Sequence, residues 1–201
     1  MIYLSKSNIL PHGLTNKSMR FLTSYTIVLF ALCIIQNVHG QTNLYFIESQ
    51  YDDSFSQWTI HFDEEEYGQI GLRWPLKNDW TQWSIDVGDY YGTLKQQRLN
   101  DPNHWQAKIN SGIIDFRATF PGDLKQWTIK FQGSQYKLYM PYTNVIESWT
   151  LETKDHYFDI FTSFEGDPRD WSFEESIDNT IPLELKLASI TLVLAITTPD
   201  F

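Results

Sequence analysis

Cysteine is nearly absent from these 201 residues: Cys33 stands alone, so no intrachain disulfide braces the fold, and two-cysteine redox motifs and zinc ribbons are excluded. Positive charge is scarce, with 15 Lys+Arg against 25 Asp+Glu and a net charge of −10. Phosphate backbones need clustered cations, so no nucleic acid is expected as a partner. Gly-rich phosphate loops, a Gly-x-Ser-x-Gly elbow and a cysteine nucleophile are missing too, and no cofactor is expected. What the chain has in quantity is bulk: 8 Trp, 11 Tyr and 13 Phe within 42% hydrophobic residues, enough to fill one sizeable core.

The first forty residues read as targeting rather than fold. Met19 and Arg20 precede the apolar stretch Tyr25–Ile35, and Val38-His39-Gly40 follows in the position of a cleavage site. An apolar stretch of about 11 residues falls short of the roughly 20 that a membrane-spanning helix needs. Residues 19–40 are therefore expected to be a signal peptide cut between Gly40 and Gln41, and residues 1–18 an upstream extension or a mis-assigned start at Met1 instead of Met19. Cys33 has Leu32 before it and an apolar continuation after it, unlike a lipoprotein cysteine. Removing Lys6, Lys17 and Arg20 takes the cations from 15 to 12 against an unchanged 25 acids, so the exported chain would carry −13.

Trp83, Trp105, Trp127, Trp149 and Trp171 recur at intervals of 22 residues, and Trp58 precedes them by 25. Alternate residues after them are apolar, as in Trp83-Ile85-Val87 and Trp127-Ile129-Phe131, which is the period of a strand with one buried face. Eleven residues before the five evenly spaced tryptophans stand Leu72, Leu94, Phe116, Leu138 and Ile160, again in alternating runs. Turn sequences such as Gly88-Asp89, Asn110-Ser111-Gly112 and Gln132-Gly133-Ser134 separate the two strands of a unit. The pattern predicts an all-β domain over 41–201, with twelve strands in an up-and-down meander over about 43–175.

A meander with one apolar face buries it, and removes its exposed edges, by closing into a barrel. Eight strands enclose just enough space for their own side chains, so twelve leave a hole. The segment from Ile181 to Ile196 is apolar almost all round a helical wheel and too short to cross a bilayer, and a helix hydrophobic on every side is buried. It is expected over about 181–196, in the barrel centre, with Pro182 in its first turn.

Twelve strands closing around an apolar C-terminal helix resemble the tubby-like fold, which tubby C-terminal domains and phospholipid scramblases share. The tail from Phe173 to Phe201 is similar to the acidic, proline-containing lead-in and terminal helix of scramblase-type members. The resemblance implies the fold and a role at phosphoinositide or other lipid surfaces. The chain departs from it in charge, because each well-placed cation near an anionic membrane contributes about 1 kcal/mol and here Lys125, Lys130 and Lys137 are scattered.

Repeat phase also tests for sites. His61, His104 and His156 stand at different phases, which points to surface histidines and no metal cluster. Asp79, Asp101, Asp123 and Asp167 share one, each four residues before a repeat tryptophan, and so form an acidic rim. Equivalent turns lie two strands apart, about 10 Å, whereas calcium needs oxygens at about 2.4 Å, so turn chemistry is expected of these aspartates and no bound metal. The acidic run at 63–66 fits a solvated hairpin loop. Trp80, offset from Trp83 by an odd number, is a candidate exposed aromatic together with Tyr90 and Tyr139. No catalytic constellation emerges. The expectation is an exported, non-enzymatic, monomeric barrel, periplasmic or extracellular, serving as a binding or scaffold module for an envelope protein, glycan or lipid surface. The alternatives are a lipid- or membrane-surface protein of tubby/scramblase type, and a glycan-binding or glycan-active protein.

Overall fold

Alternation of apolar and polar residues becomes twelve strands: β1 (Leu44–Tyr51), β2 (Ser54–Phe62), β3 (Glu65–Leu72), β4 (Gln82–Val87), β5 (Tyr90–Gln96), β6 (His104–Ile109), β7 (Gly112–Phe120), β8 (Asp123–Phe131), β9 (Ser134–Tyr139), β10 (Ser148–Glu152), β11 (Tyr157–Phe164) and β12 (Asp167–Glu175). The structure is a computed structural model and describes residues 44–198 apart from positions 53, 63–64, 78, 143–144, 146 and 178–179. The expected signal peptide and the Gly40–Gln41 cleavage position lie outside the described residues. Thr42–Phe201 is one unit.

Each strand pairs antiparallel with its neighbours in sequence, and β12 returns to pair with β1, with Ile47 opposite Trp171, so the barrel closes without an open edge. The six repeat tryptophans, Trp58 included, are buried, as are their strand-mates Ile60, Ile85, Ala107, Ile129 and Leu151. The 11-residue spacing is the register itself: Trp83 stands opposite Leu72 on one side and Leu94 on the other. Intervening positions such as Ser84, Asp86, Lys95, Lys108 and Lys130 are exposed. This polar-out, apolar-in order is the reverse of a membrane-spanning barrel, whose apolar band faces lipid.

The interior holds the helix α1 (Leu183–Thr197), which packs against β4, β5, β6, β7 and β10. Fifteen residues at 1.5 Å each give it about 22 Å of length. Every residue from Leu185 to Ala195 is buried, so apolar side chains on all sides meet the inward faces of the strands. Pro182 caps the helix rather than entering its first turn, and its carbonyl accepts from the N–H groups of Leu185 and Lys186 at 3.0 and 3.1 Å. Among the described residues no helix is long and apolar enough to cross a membrane. Two glycines let adjacent strands approach closely: a Cβ on Gly68 would stand 2.3 Å from the Asp86 carbonyl oxygen, and one on Gly92 equally close to that of Lys108.

The buried helix carries few polar groups. Lys186 reaches Glu175 on β12 in an ion pair near the helix start, with its ammonium 5.4 Å from the Phe158 ring centroid. Thr191, Thr197 and Thr198 return their hydroxyl protons to carbonyls four residues earlier. The Ser189 hydroxyl is fully buried without a hydrogen-bond partner.

Candidate functional site

The phase-sharing aspartates all lie on one rim, at the turns leading into β4, β6, β8 and β12. Each accepts, through Oδ1, the backbone N–H two residues on: Thr81 to Asp79 at 3.0 Å, Asn103 to Asp101 at 3.1 Å, Lys125 to Asp123 at 3.0 Å and Arg169 to Asp167 at 3.1 Å. That is an Asx turn repeated four times. The residue before the aspartate is left-handed at Asn100, Gly122 and Gly166, the conformation that glycine and asparagine tolerate best. The turn directs the next carbonyl inward, where it accepts the indole N–H of the repeat tryptophan: Trp83 to Trp80 at 3.0 Å, Trp105 to Pro102 at 2.9 Å, Trp127 to Leu124 at 2.8 Å and Trp171 to Pro168 at 2.9 Å.

These bonds also set the acidity of the rim. The Thr81 hydroxyl and amide hold the Asp79 carboxyl below the usual range, and the Asn103 side chain and amide do the same for Asp101. Arg169 grips Asp167 with two guanidinium bonds, 2.8 and 2.6 Å, and brings it to about 2. Their oxygens serve the turns. Among the described residues no three His, Cys, Asp or Glu side chains gather as a metal site.

The three candidate aromatics do not share a surface. Strand β4 begins at Gln82, so face parity counted back from Trp83 does not extend to Trp80, which is half-buried and packs against the core with its ring 5.9 Å from that of Trp83. Tyr90 sits at the other rim, against the core; burial, followed by the nearby Glu184 charge, pushes its phenol up. Tyr139 donates to Glu152 at 2.9 Å and lies under the Lys137 ammonium, 4.0 Å from its ring centroid. Burial and Glu152 raise its phenol as well.

The histidines differ most from the sequence expectation. His61 and His104 are not free surface side chains; each is largely covered and bound to a carboxylate across the sheet. His61 Nε2 lies 3.0 Å from Glu48, its ring stacked on Phe46 at 4.2 Å, while its Nδ1 is buried without a partner. His104 Nε2 lies 2.6 Å from Asp115 Oδ1, and Arg117 Nε donates to Asp115 Oδ2 at 2.9 Å. Partial burial works to raise Asp115, but the His104 and Arg117 bonds outweigh it and the carboxyl ends below its usual range.

Two clefts flank these pairs on the outer wall. One, of about 390 Å³, lies between the β5–β6 and β7–β8 loops; Arg98, Asn103, His104, Arg117 and Pro121 line it. The other, of about 430 Å³, follows the β1–β12 seam, with Tyr45, Glu48, Phe164 and Asp170 on its walls. Glu48 and Asp170 stand directly opposite in register, and Asp170 is raised by burial and then by the charges of Asp167 and Glu48. Both clefts combine residues from separate strands, so neither shows as a motif. No family model, curated protein or solved structure matches the chain.

Proposed function

We propose that this protein is an exported, non-enzymatic binding or scaffold module of tubby-like architecture, working in the cell envelope or outside the cell. The observation that carries the reading is the helix α1 inside the barrel: its side chains occupy the lumen, which leaves the rims and outer wall as the surfaces a ligand can meet. The signal-peptide layout of residues 19–40 supports export, and the tubby-like reading rests on a C-terminal helix enclosed by twelve meandering strands.

N-terminal sequencing and fractionation of the full chain expressed in its own cell type test export. A product beginning at Gln41 outside the cytoplasm is expected, and an unprocessed cytoplasmic chain contradicts it. Incubation with envelope polysaccharides tests the non-enzymatic part, where retention without product is expected and released reducing ends contradict it.

A second reading, contact with a lipid surface, draws on one patch. Trp74 is 44% exposed, with the cations of Arg73 and Lys77 at 5.5 and 5.1 Å from its ring, an aromatic-and-basic pairing suited to a membrane interface. Co-sedimentation with anionic liposomes at low salt tests it. Binding that disappears in Trp74→Ala favours this reading, and no binding removes it.

A further inference from the structure

We infer that the cleft between the β5–β6 and β7–β8 loops binds an oxyanion, a carboxylate, sulfate or phosphate group held between Arg98 and Arg117. The inference rests on the binding-module reading and names the chemistry of one of its ligands.

Most acceptor atoms around the cleft are already engaged. Both oxygens of Asp115 are taken, one by His104 Nε2 and the other by Arg117 Nε. Asp101 closes its own turn, with Oδ1 accepting from the amide and the side chain of Asn103. Asn103 Oδ1 accepts from the Gly122 N–H at 2.7 Å, which ties the β5–β6 loop to the β7–β8 loop and fixes the width of the cleft.

The donors are the groups left over. The Arg98 guanidinium makes no hydrogen bond or ion pair among the described residues, and only its backbone carbonyl is engaged, accepting from the Asp101 N–H at 3.1 Å. Arg117 spends Nε on Asp115 and keeps its two terminal nitrogens. Two arginines with spare N–H donors therefore line one cleft of about 390 Å³. Planar forks of this kind match the paired oxygens of carboxylate, sulfate or phosphate, and they do so better than an ammonium would.

Arg73, Arg98, Arg117 and Arg169 are the arginines beyond residue 40, and two of them line this one cleft, together with the Asp101 carboxylate. Arg169, by contrast, is consumed by Asp167. The Asp115 bonds to His104 and Arg117 hold one wall of the cleft in place before any ligand arrives, so the ordering that opposes binding falls mainly on Arg98.

The test uses the full chain. Inorganic sulfate, inorganic phosphate and a tri-uronate oligosaccharide are each titrated while the arginine Nε–Hε resonances are followed by NMR. Saturable shifts of the Arg98 and Arg117 signals are expected with at least one probe. Arg98→Gln and Arg117→Gln are each expected to weaken binding by about tenfold or more, with an intermediate loss for Arg98→Lys, which keeps the charge but not the fork. Lys108→Gln on β6 removes the same charge outside the cleft and is expected to change affinity by less than about twofold.

Tighter binding of the uronate assigns a carboxylate-bearing glycan as the source, and tighter binding of an inorganic ion assigns a phosphate or sulfate ester; both support the site. No saturable shift with any probe, or an equal loss in Lys108→Gln, overturns it while leaving the binding-module reading standing. Cleavage of the uronate would instead overturn the non-enzymatic reading and leave the site in place.

Discussion

The indole of Trp127 donates to the carbonyl of Leu124 at 2.8 Å, and that carbonyl is turned inward by a loop that Asp123 closes. The same relationship recurs at Trp83, Trp105 and Trp171. It links the acidic rim to the core, because each aspartate shapes the turn whose carbonyl satisfies a buried indole N–H. A buried tryptophan without that acceptor would bear the cost of an unpaired donor, about 1–3 kcal/mol.

Asp123→Ala is accordingly expected to lower stability by about 1 kcal/mol in urea unfolding, whereas Asp123→Asn, which keeps an acceptor oxygen, stays close to wild type. Added calcium leaves the midpoint unchanged in all three proteins. A calcium-dependent midpoint that disappears in Asp123→Asn would turn the rim from turn chemistry into a cation site.

Acid should weaken the fold through the same rim. Asp167 has a carboxyl near 2 in the folded protein against about 3.9 for a free aspartate, so its contribution is present above about pH 4 and is lost as pH falls toward 2. Asp79, Asp101 and Asp115 shift the same way; Asp170, raised by burial and neighbouring charge, acts in the opposite sense and is relieved by its own protonation. The Asp167 pair is at the solvent-facing rim, where water and salt screen it and keep its share small. Asp167→Asn should flatten the fall in melting temperature between pH 4 and pH 2, and an unaltered slope would count against the pair.

Where α1 enters the barrel, Lys186 and Glu175 form an ion pair with little access to water. Glu175→Ala leaves the ammonium without this partner and is expected to cost about 3–5 kcal/mol, while Lys186→Met with Glu175→Leu removes both charges and stays near neutral. Chemical denaturation of the two variants checks the contrast, and equal losses would contradict it.

Ser189 offers the reverse case. Its hydroxyl is buried in the barrel centre without a partner, so Ser189→Ala removes a desolvated polar group for little lost volume. A higher melting temperature is expected, and a drop of several degrees would mean that the hydroxyl has an acceptor in solution.

The strands were legible because two periods overlap. The 22-residue return of tryptophan marks units, and parity from each tryptophan separates core from wall; Trp105, Ala107 and Ile109 are buried as that rule requires. The helix was legible from its composition, since Ile181–Ile196 has no polar face. Parity misled where it was extended past a strand end, as at Trp80, which precedes β4 in a turn. The clefts were hidden for a different reason. His104 and Asp115 become diagonal neighbours only once Trp105 is set opposite Phe116, and Arg98 joins them through a loop whose course no alternation describes.

Amide hydrogen exchange of α1 distinguishes a barrel filled by its own helix from one that the helix can leave. Amides from Leu187 to Leu194 should exchange only through global unfolding, as slowly as the slowest strand amides and with the same denaturant dependence. Exchange of those amides through a lower-energy opening that leaves the strands protected would show a helix that departs from an intact barrel, and would overturn a helix-filled core.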